Sequence, residues 1–159
     1  MVSCDRKELI IGKMEEKLAT ITETNGYDYN LYILTGVDWM SPDEMDSAKL
    51  PLAFVDSEGL ETYDTRGNVP YVVTAELPVW IVIEKLEKKG RTELRKIIRN
   101  VKKALYPLSM QYELLRLGYA KKFRLKSCET DSGWSGAHII TKMTYEAEYP
   151  ENPLDEEPS

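Results

Sequence analysis

One histidine, His138, and two cysteines, Cys4 and Cys128, are the side chains here best suited to nucleophilic or proton-transfer chemistry. His138 stands in a period-two pattern on its less apolar side, so a triad or an imidazole-rich metal site would have to be built around it alone. The cysteines have no C-x-x-C spacing and no sequence-adjacent His or Asp, and two isolated thiols of this kind read as free. Asp43, Glu44 and Asp46 could offer oxygen ligands to a hard cation. Their order does not match the D-x-D-x-D-G of an EF-hand, so a solvated acidic loop is the plainer reading. Gly59, Gly67 and Pro70 fall in a stretch that never approaches G-x-x-x-x-G-K-S/T, and Arg66-Gly67-Asn68 is a turn signal. There is no dinucleotide fingerprint, nucleophile elbow or internal repeat. These residues predict a protein that is not an enzyme and takes no metal or cofactor.

Aromatic surface is the more informative signal. Ten tyrosines and three tryptophans are spread over the chain, and several stand in stretches without hydrophobic period. Tyr and Trp bury large contact areas at low entropic cost, which suits an interaction module. The candidates are Trp39, Met40 and Met45 in the long stretch from Thr35 to Lys49, Tyr63 and Arg66 in the second irregular stretch, and Trp134 near the end. Loops of this length without a pattern of their own are often functional. The alternative for Trp39 is that it folds back onto the sheet.

These loops need a scaffold, and its centre is the stretch Ala75 to Leu105. Ala75, Leu77, Val79, Ile81 and Ile83 alternate with Glu76, Pro78, Trp80, Val82 and Glu84, the signature of a strand. After Gly90 the period changes: Leu94, Ile97, Ile98, Val101, Ala104 and Leu105 form a helix stripe, with Thr92 as N-cap and Tyr106-Pro107 as stop. Asp5 to Ile21 reads as the first helix, with Asp5 and Glu8 resembling a capping box and Ile10, Met14, Leu18 and Ile21 on one face. Tyr27 to Leu34 alternates like a strand or extended arm. Leu50 to Asp56 is a short strand whose start Pro51 places at an edge. Leu108, Tyr112, Leu115 and Leu117 line a short third helix. Tyr119 to Cys128 and Ala137 to Tyr149 pair antiparallel.

The expected fold class is therefore α/β of the α+β kind: a mostly antiparallel sheet of about four to five strands, two main amphipathic helices on one face, and long loops. Residues 1–150 form one domain, and 151–159, with two prolines and four acidic residues, are an acidic disordered tail. A 42% hydrophobic and 30% charged composition excludes wholesale disorder. No apolar run reaches the roughly 20 residues of a membrane span, and the first residues lack a signal-peptide core, so cytoplasmic synthesis and no membrane partner are expected. The formal charge of −6 speaks against non-specific nucleic-acid binding. Basic residues nevertheless cluster at Lys85 to Lys103 and Lys121 to Lys126, read as solvated faces.

The order of elements resembles the tail terminator proteins of long-tailed bacteriophages, also called minor tail or tail completion proteins. The likeness is carried by the helix Arg6 to Ile21, the P-L-A-F-V strand at Pro51 and the T-A-E-L-P-V-W-I-V-I strand at Thr74. It continues through the R-T-E-L-R-K-I-I-R-N-V-K-K-A-L helix and the T-K-M-T-Y-E-A-E-Y strand, covering most of residues 5–150. It is a likeness of layout and hydrophobic pattern, without an invariant motif. The resemblance implies a structural virion protein at the tail-neck junction, a homo-oligomeric and hexameric ring that caps the tail tube and ends its polymerisation. Its partners would be further copies of itself, the tail tube protein, a neck or head-completion protein, and the sheath in a contractile tail. DNA would pass through the channel without specific binding. Contacts would fall on Tyr27 to Lys49, Glu58 to Val69 and Glu129 to Gly136, and no catalytic residue is implied. The other readings are a head-closure or neck protein, and a small cytoplasmic α/β ligand-binding protein or enzyme.

Overall fold

The computed structural model describes residues 5–35, 50–84, 90–131 and 138–154. It is an α+β fold, with a six-stranded mixed sheet carrying its helices on one face. The elements in chain order are α1 (Arg6–Leu18), β1 (Tyr32–Leu34), β2 (Leu52–Val55), β3 (Glu61–Arg66) and β4 (Val69–Glu84). They are followed by α2 (Gly90–Ala104), α3 (Pro107–Leu117), β5 (Lys122–Asp131) and β6 (His138–Glu151).

Strand order is β1-β2-β4-β6-β5, and β3 pairs with the first half of β4. Among the described strands, only the β1–β2 pair is parallel. The spine is the antiparallel pair β4–β6, in register from Tyr71 opposite Glu151 to Glu84 opposite His138. At roughly 3.3 Å per residue it is about 40 Å long. β4 changes partner along its length: Ala75 is opposite Glu61 of β3, whereas Val79 is opposite Val55 of β2. Pro78 sits at that changeover. Its carbonyl accepts the Asp56 amide (2.9 Å), so its missing N–H faces the gap between β3 and β2, where no ladder bond is lost.

One face of the sheet is apolar over most of its length, as the period-two pattern requires, with Thr141 buried among its apolar neighbours. Val73, Ala75, Leu77, Val79, Ile81 and Ile83 of β4 and Met143, Tyr145, Ala147 and Tyr149 of β6 are buried there. They pack under Ile10, Met14 and Leu18 of α1, Leu94, Ile97, Ile98 and Val101 of α2, and Met110 and Leu114 of α3. A second cluster, Leu52, Phe54, Val82 and Ile140, lies on the opposite face with Trp80, Leu34 and Leu50 against it. Asp5 caps α1 by accepting the Glu8 amide (3.2 Å), as the capping pattern predicts.

Several expectations are corrected. The stretch from Glu58 to Val69 is not irregular throughout: Glu61–Arg66 is a strand, and Arg66-Gly67-Asn68 turns it into β4, with Gly67 at φ 58°. That strand, alternating polar residues on both faces, raises the sheet to six. Of the stretch from Tyr27 to Leu34 only Tyr32–Leu34 is a strand. A 3-10 turn over Glu23–Asn25, closed by Gly26 at φ 87°, precedes it. β2 is flanked by β1 and β4 and is not an edge, because Pro51 lies one residue before the ladder and contributes only its carbonyl, which accepts the Tyr32 amide (2.9 Å). Thr92 is inside the first turn of α2, which starts at Gly90. The Tyr106-Pro107 stop holds, and the chain re-enters a helix at once with Pro107 at its first position.

Candidate interaction surface

The third helix carries the largest departure from expectation. Its buried side chains are Met110 and Leu114, while Leu108, Tyr112 and Leu115 are 67%, 71% and 56% exposed, and Tyr106 is exposed before them. The spacing 108, 112, 115 is a true helix stripe, and it faces outward. The inner face is fixed by ion pairs as well as by packing. Glu113 meets Lys13 and Lys17 of α1 (3.0 Å each), and Gln111 accepts the Phe123 amide of β5 (3.4 Å). Rotating α3 to bury its apolar stripe would break all three contacts. The two lysines hold the Glu113 carboxyl below its ordinary range through their hydrogen bonds.

A second exposed patch lies at the Tyr71 end of the spine, on the helix-bearing face. Tyr63 and Tyr71 meet edge-on with centroids 5.8 Å apart. The Tyr63 hydroxyl donates to Glu61 (2.8 Å), which also pairs with Lys7 of α1 (3.2 Å). Glu151 is directly opposite Tyr71. Burial, and then the charges of Asp5 and Glu61, push its carboxyl above the ordinary range, with Arg6 acting the other way. Tyr63, expected as an interface residue in a loop, is thus an exposed strand residue in an aromatic and acidic patch.

Arg66 is placed differently. From the hairpin turn it reaches Glu148 of β6 (3.1 Å) and Asp64 (3.6 Å) on the other face of the sheet. It joins a ladder of charges there. Glu76 and Glu146 stand directly opposite each other on β4 and β6, a repulsive cross-strand pair. Lys126, at the β5 bulge, bridges them at 2.5 Å and 3.8 Å, and Arg124 holds Glu146 at 2.9 Å. A ladder so internally paired has little charge left for a partner.

The outer face of α2 differs from that ladder. Arg95, Lys96, Arg99, Lys102 and Lys103 are exposed on it. Arg99 reaches Asp28 at 3.6 Å and Lys103 lies 5.0 Å above the Tyr27 ring. Among the described residues, Arg95, Lys96 and Lys102 have no ion pair. Thr92, Arg95, Lys96 and Arg99 line a shallow recess of about 310 Å³. A smaller one, about 150 Å³, lies among Gln111, Lys122, Phe123, Arg124, Glu146 and Glu148.

Trp39, Met40, Met45 and Trp134 lie outside the described residues, as do the carboxylates Asp43, Glu44 and Asp46 and the thiol Cys4. Cys128 is an exposed free thiol. No group of three or more His, Cys, Asp or Glu among the described residues is placed to share a metal ion. None of the described helices is long and apolar enough to cross a membrane, which leaves strand-built membrane proteins unaddressed. The α3 stripe, the unpaired cations of α2 and the Tyr63–Tyr71 patch were not joined into a surface by sequence reasoning, although each residue type was visible. In comparison with known proteins, no family model and no curated protein matches the chain.

Proposed function

We propose that this chain is a structural assembly subunit of the tail-terminator kind, forming a ring that caps a phage tail tube and offers a docking surface to the neck. The observation that carries the reading is the α3 stripe. A helix with Met110 and Leu114 in the core holds Leu108, Tyr112 and Leu115 in water, which leaves an apolar face that a partner can cover. The supporting features are the exposed tyrosine pair on β3–β4, the charge-segregated α2, and the resemblance of element order to tail terminators.

The sheet edges support contact through helices and hairpins rather than through strand addition. β5 has its edge blunted by a bulge at Lys126 and by Gln111 on the Phe123 amide, and β1 is only three residues long. In this reading the α3 stripe meets the tube or neck protein, and copies meet one another elsewhere.

The test is solution mass over a concentration series with negative-stain imaging of the heaviest species, then addition of purified tail tubes. Wild type is expected to form a closed ring of about six subunits and to bind tube ends. Tyr112→Ala with Leu115→Ser should keep the thermal unfolding of wild type within about 0.5 kcal/mol and lose tube capping by tenfold or more. A compact monomer at every concentration, with no tube binding, would remove this reading.

A further inference from the structure

We propose that the cationic outer face of α2 seats on the aromatic and acidic patch of a second copy, making a head-to-tail contact between Arg95 and Lys96 on one side and Glu61, Tyr63, Tyr71 and Glu151 on the other. The inference rests on the assembly reading above and names the surfaces that assembly would use.

Charge segregation is the first ground. α2 holds six Lys and Arg against the single acid Glu93, a formal +5, so the remaining residues carry −11 where the whole chain carries −6. Two copies related by a two-fold through α2 would set cation against cation. A copy turned so that α2 meets another part of its neighbour sets cation against acid. The segregation therefore disfavours a two-fold through α2 itself and favours a contact between α2 and an acidic surface of the neighbour, which repeated head to tail closes into rings.

The second ground is the chemistry of the receiving patch. Two tyrosine rings, 57% and 42% exposed, flanked by the Glu61 and Glu151 carboxylates suit a guanidinium or ammonium, which stacks on the ring and pairs with the acid. Lys7 and Arg6 answer this acidity only in part, and the carboxyl of Glu151 stays crowded by Asp5 and Glu61. On the donor side Arg95 and Lys96 are exposed, lack an ion pair among the described residues, and line the α2 recess. The two surfaces belong to different elements of one copy, α2 on the one side and β3, β4 and β6 on the other. α2 begins six residues after Glu84, within about 20 Å of that end of the spine, whereas Glu151 is opposite Tyr71 at the other end.

The experiment is a charge-swap complementation read by mass photometry and sedimentation at low and high salt. Variant one is Arg95→Glu with Lys96→Glu, and variant two is Glu61→Lys with Glu151→Lys. A third, Glu61→Gln with Glu151→Gln, keeps a hydrogen-bond acceptor for Tyr63 should the reversal disturb folding, which circular dichroism reports. Wild type should assemble, more weakly as salt rises. Variants one and two alone should lose association tenfold or more, and variant three should weaken it less. An equimolar mixture of variants one and two should regain it, because every contact in an alternating assembly again joins cation to acid. If each variant alone forms the wild-type ring, the assembly reading stands and this contact is overturned. If the variants fail singly and their folded mixture also fails, the contact is overturned as well. Wild type that stays monomeric throughout removes the assembly reading, and this contact with it.

Discussion

Tyr145 shows how a buried polar atom can be carried inside a well-packed core. Its ring stacks on Phe123 with centroids 5.3 Å apart and planes at 17°, yet its buried hydroxyl has no hydrogen-bond partner among the described residues. Burial pushes that hydroxyl's pKa far up, so it stays neutral. A buried unsatisfied hydroxyl costs more than it returns, and Tyr145→Phe keeps the ring while removing the penalty. The substitution should stabilise the fold by about 1 kcal/mol in chemical denaturation, and a loss of similar size would mean that the hydroxyl has an unseen partner. The alternation of β6 marked Tyr145 as core; nothing in the alternation said whether its hydroxyl would find an acceptor, since that depends on what α2 and α3 bring over it.

Two contacts between elements set the frame around the proposed surfaces. The first is Glu113, which ties α3 to Lys13 and Lys17 of α1. A carboxyl held below its unfolded value stabilises the fold above about pH 4.5, the ordinary value, and loses that contribution as pH falls through the depressed one. Glu113→Gln should therefore melt below wild type at pH 7, with the gap closing toward pH 3; a gap constant with pH would show that charge is not what matters there. The second is the crossing of the β2–β3 connection over β4. A Cβ at Gly59 would lie 2.1 Å from the Glu76 carbonyl oxygen and 2.8 Å from Pro78 Cδ, both on backbone or ring that cannot swing aside. Gly59→Ala should cost about 2 kcal/mol or more in denaturant unfolding, and a wild-type midpoint would show that the crossing gives way freely. The period of α2 was legible because Leu94, Ile97, Ile98 and Val101 are all needed inside. That of α3 misled: Leu108, Tyr112 and Leu115 fit a core stripe as well as Met110 and Leu114 do. The choice between the faces was made by Glu113, whose partners Lys13 and Lys17 lie 100 and 96 residues away in the chain, and by Gln111, whose partner Phe123 lies 12 residues away.

At the scale of the whole molecule, charge is sorted rather than spread. The Arg66, Lys122, Arg124 and Lys126 side chains are spent within the sheet on Glu76, Glu146 and Glu148. The cations of α2 are mostly left for solvent or for a partner. The salt sensitivity expected of assembly follows from this difference: exposed, unpaired charges are screened within a Debye length of about 8 Å at physiological salt, while the sheet ladder, built of exposed ion pairs that each contribute little, should weaken monomer stability only slightly as salt rises. The same sorting is the ground for the proposed head-to-tail contact.

The sequence alone determined the α+β class, the spine strand, the capped first helix, the α2 stripe and the antiparallel closing strands, because periodicity and capping are local and each follows from residues within a few positions of one another. It also determined that chemistry-bearing residues are sparse. Only the tertiary structure decided that Glu61–Arg66 is a strand, that Tyr63 stands beside Tyr71 and Glu151, that Arg66 is taken up by Glu148, and that α3 turns its apolar stripe outward. Each of these depends on partners distant in the chain, whose approach is set by the packing of helices on one long sheet.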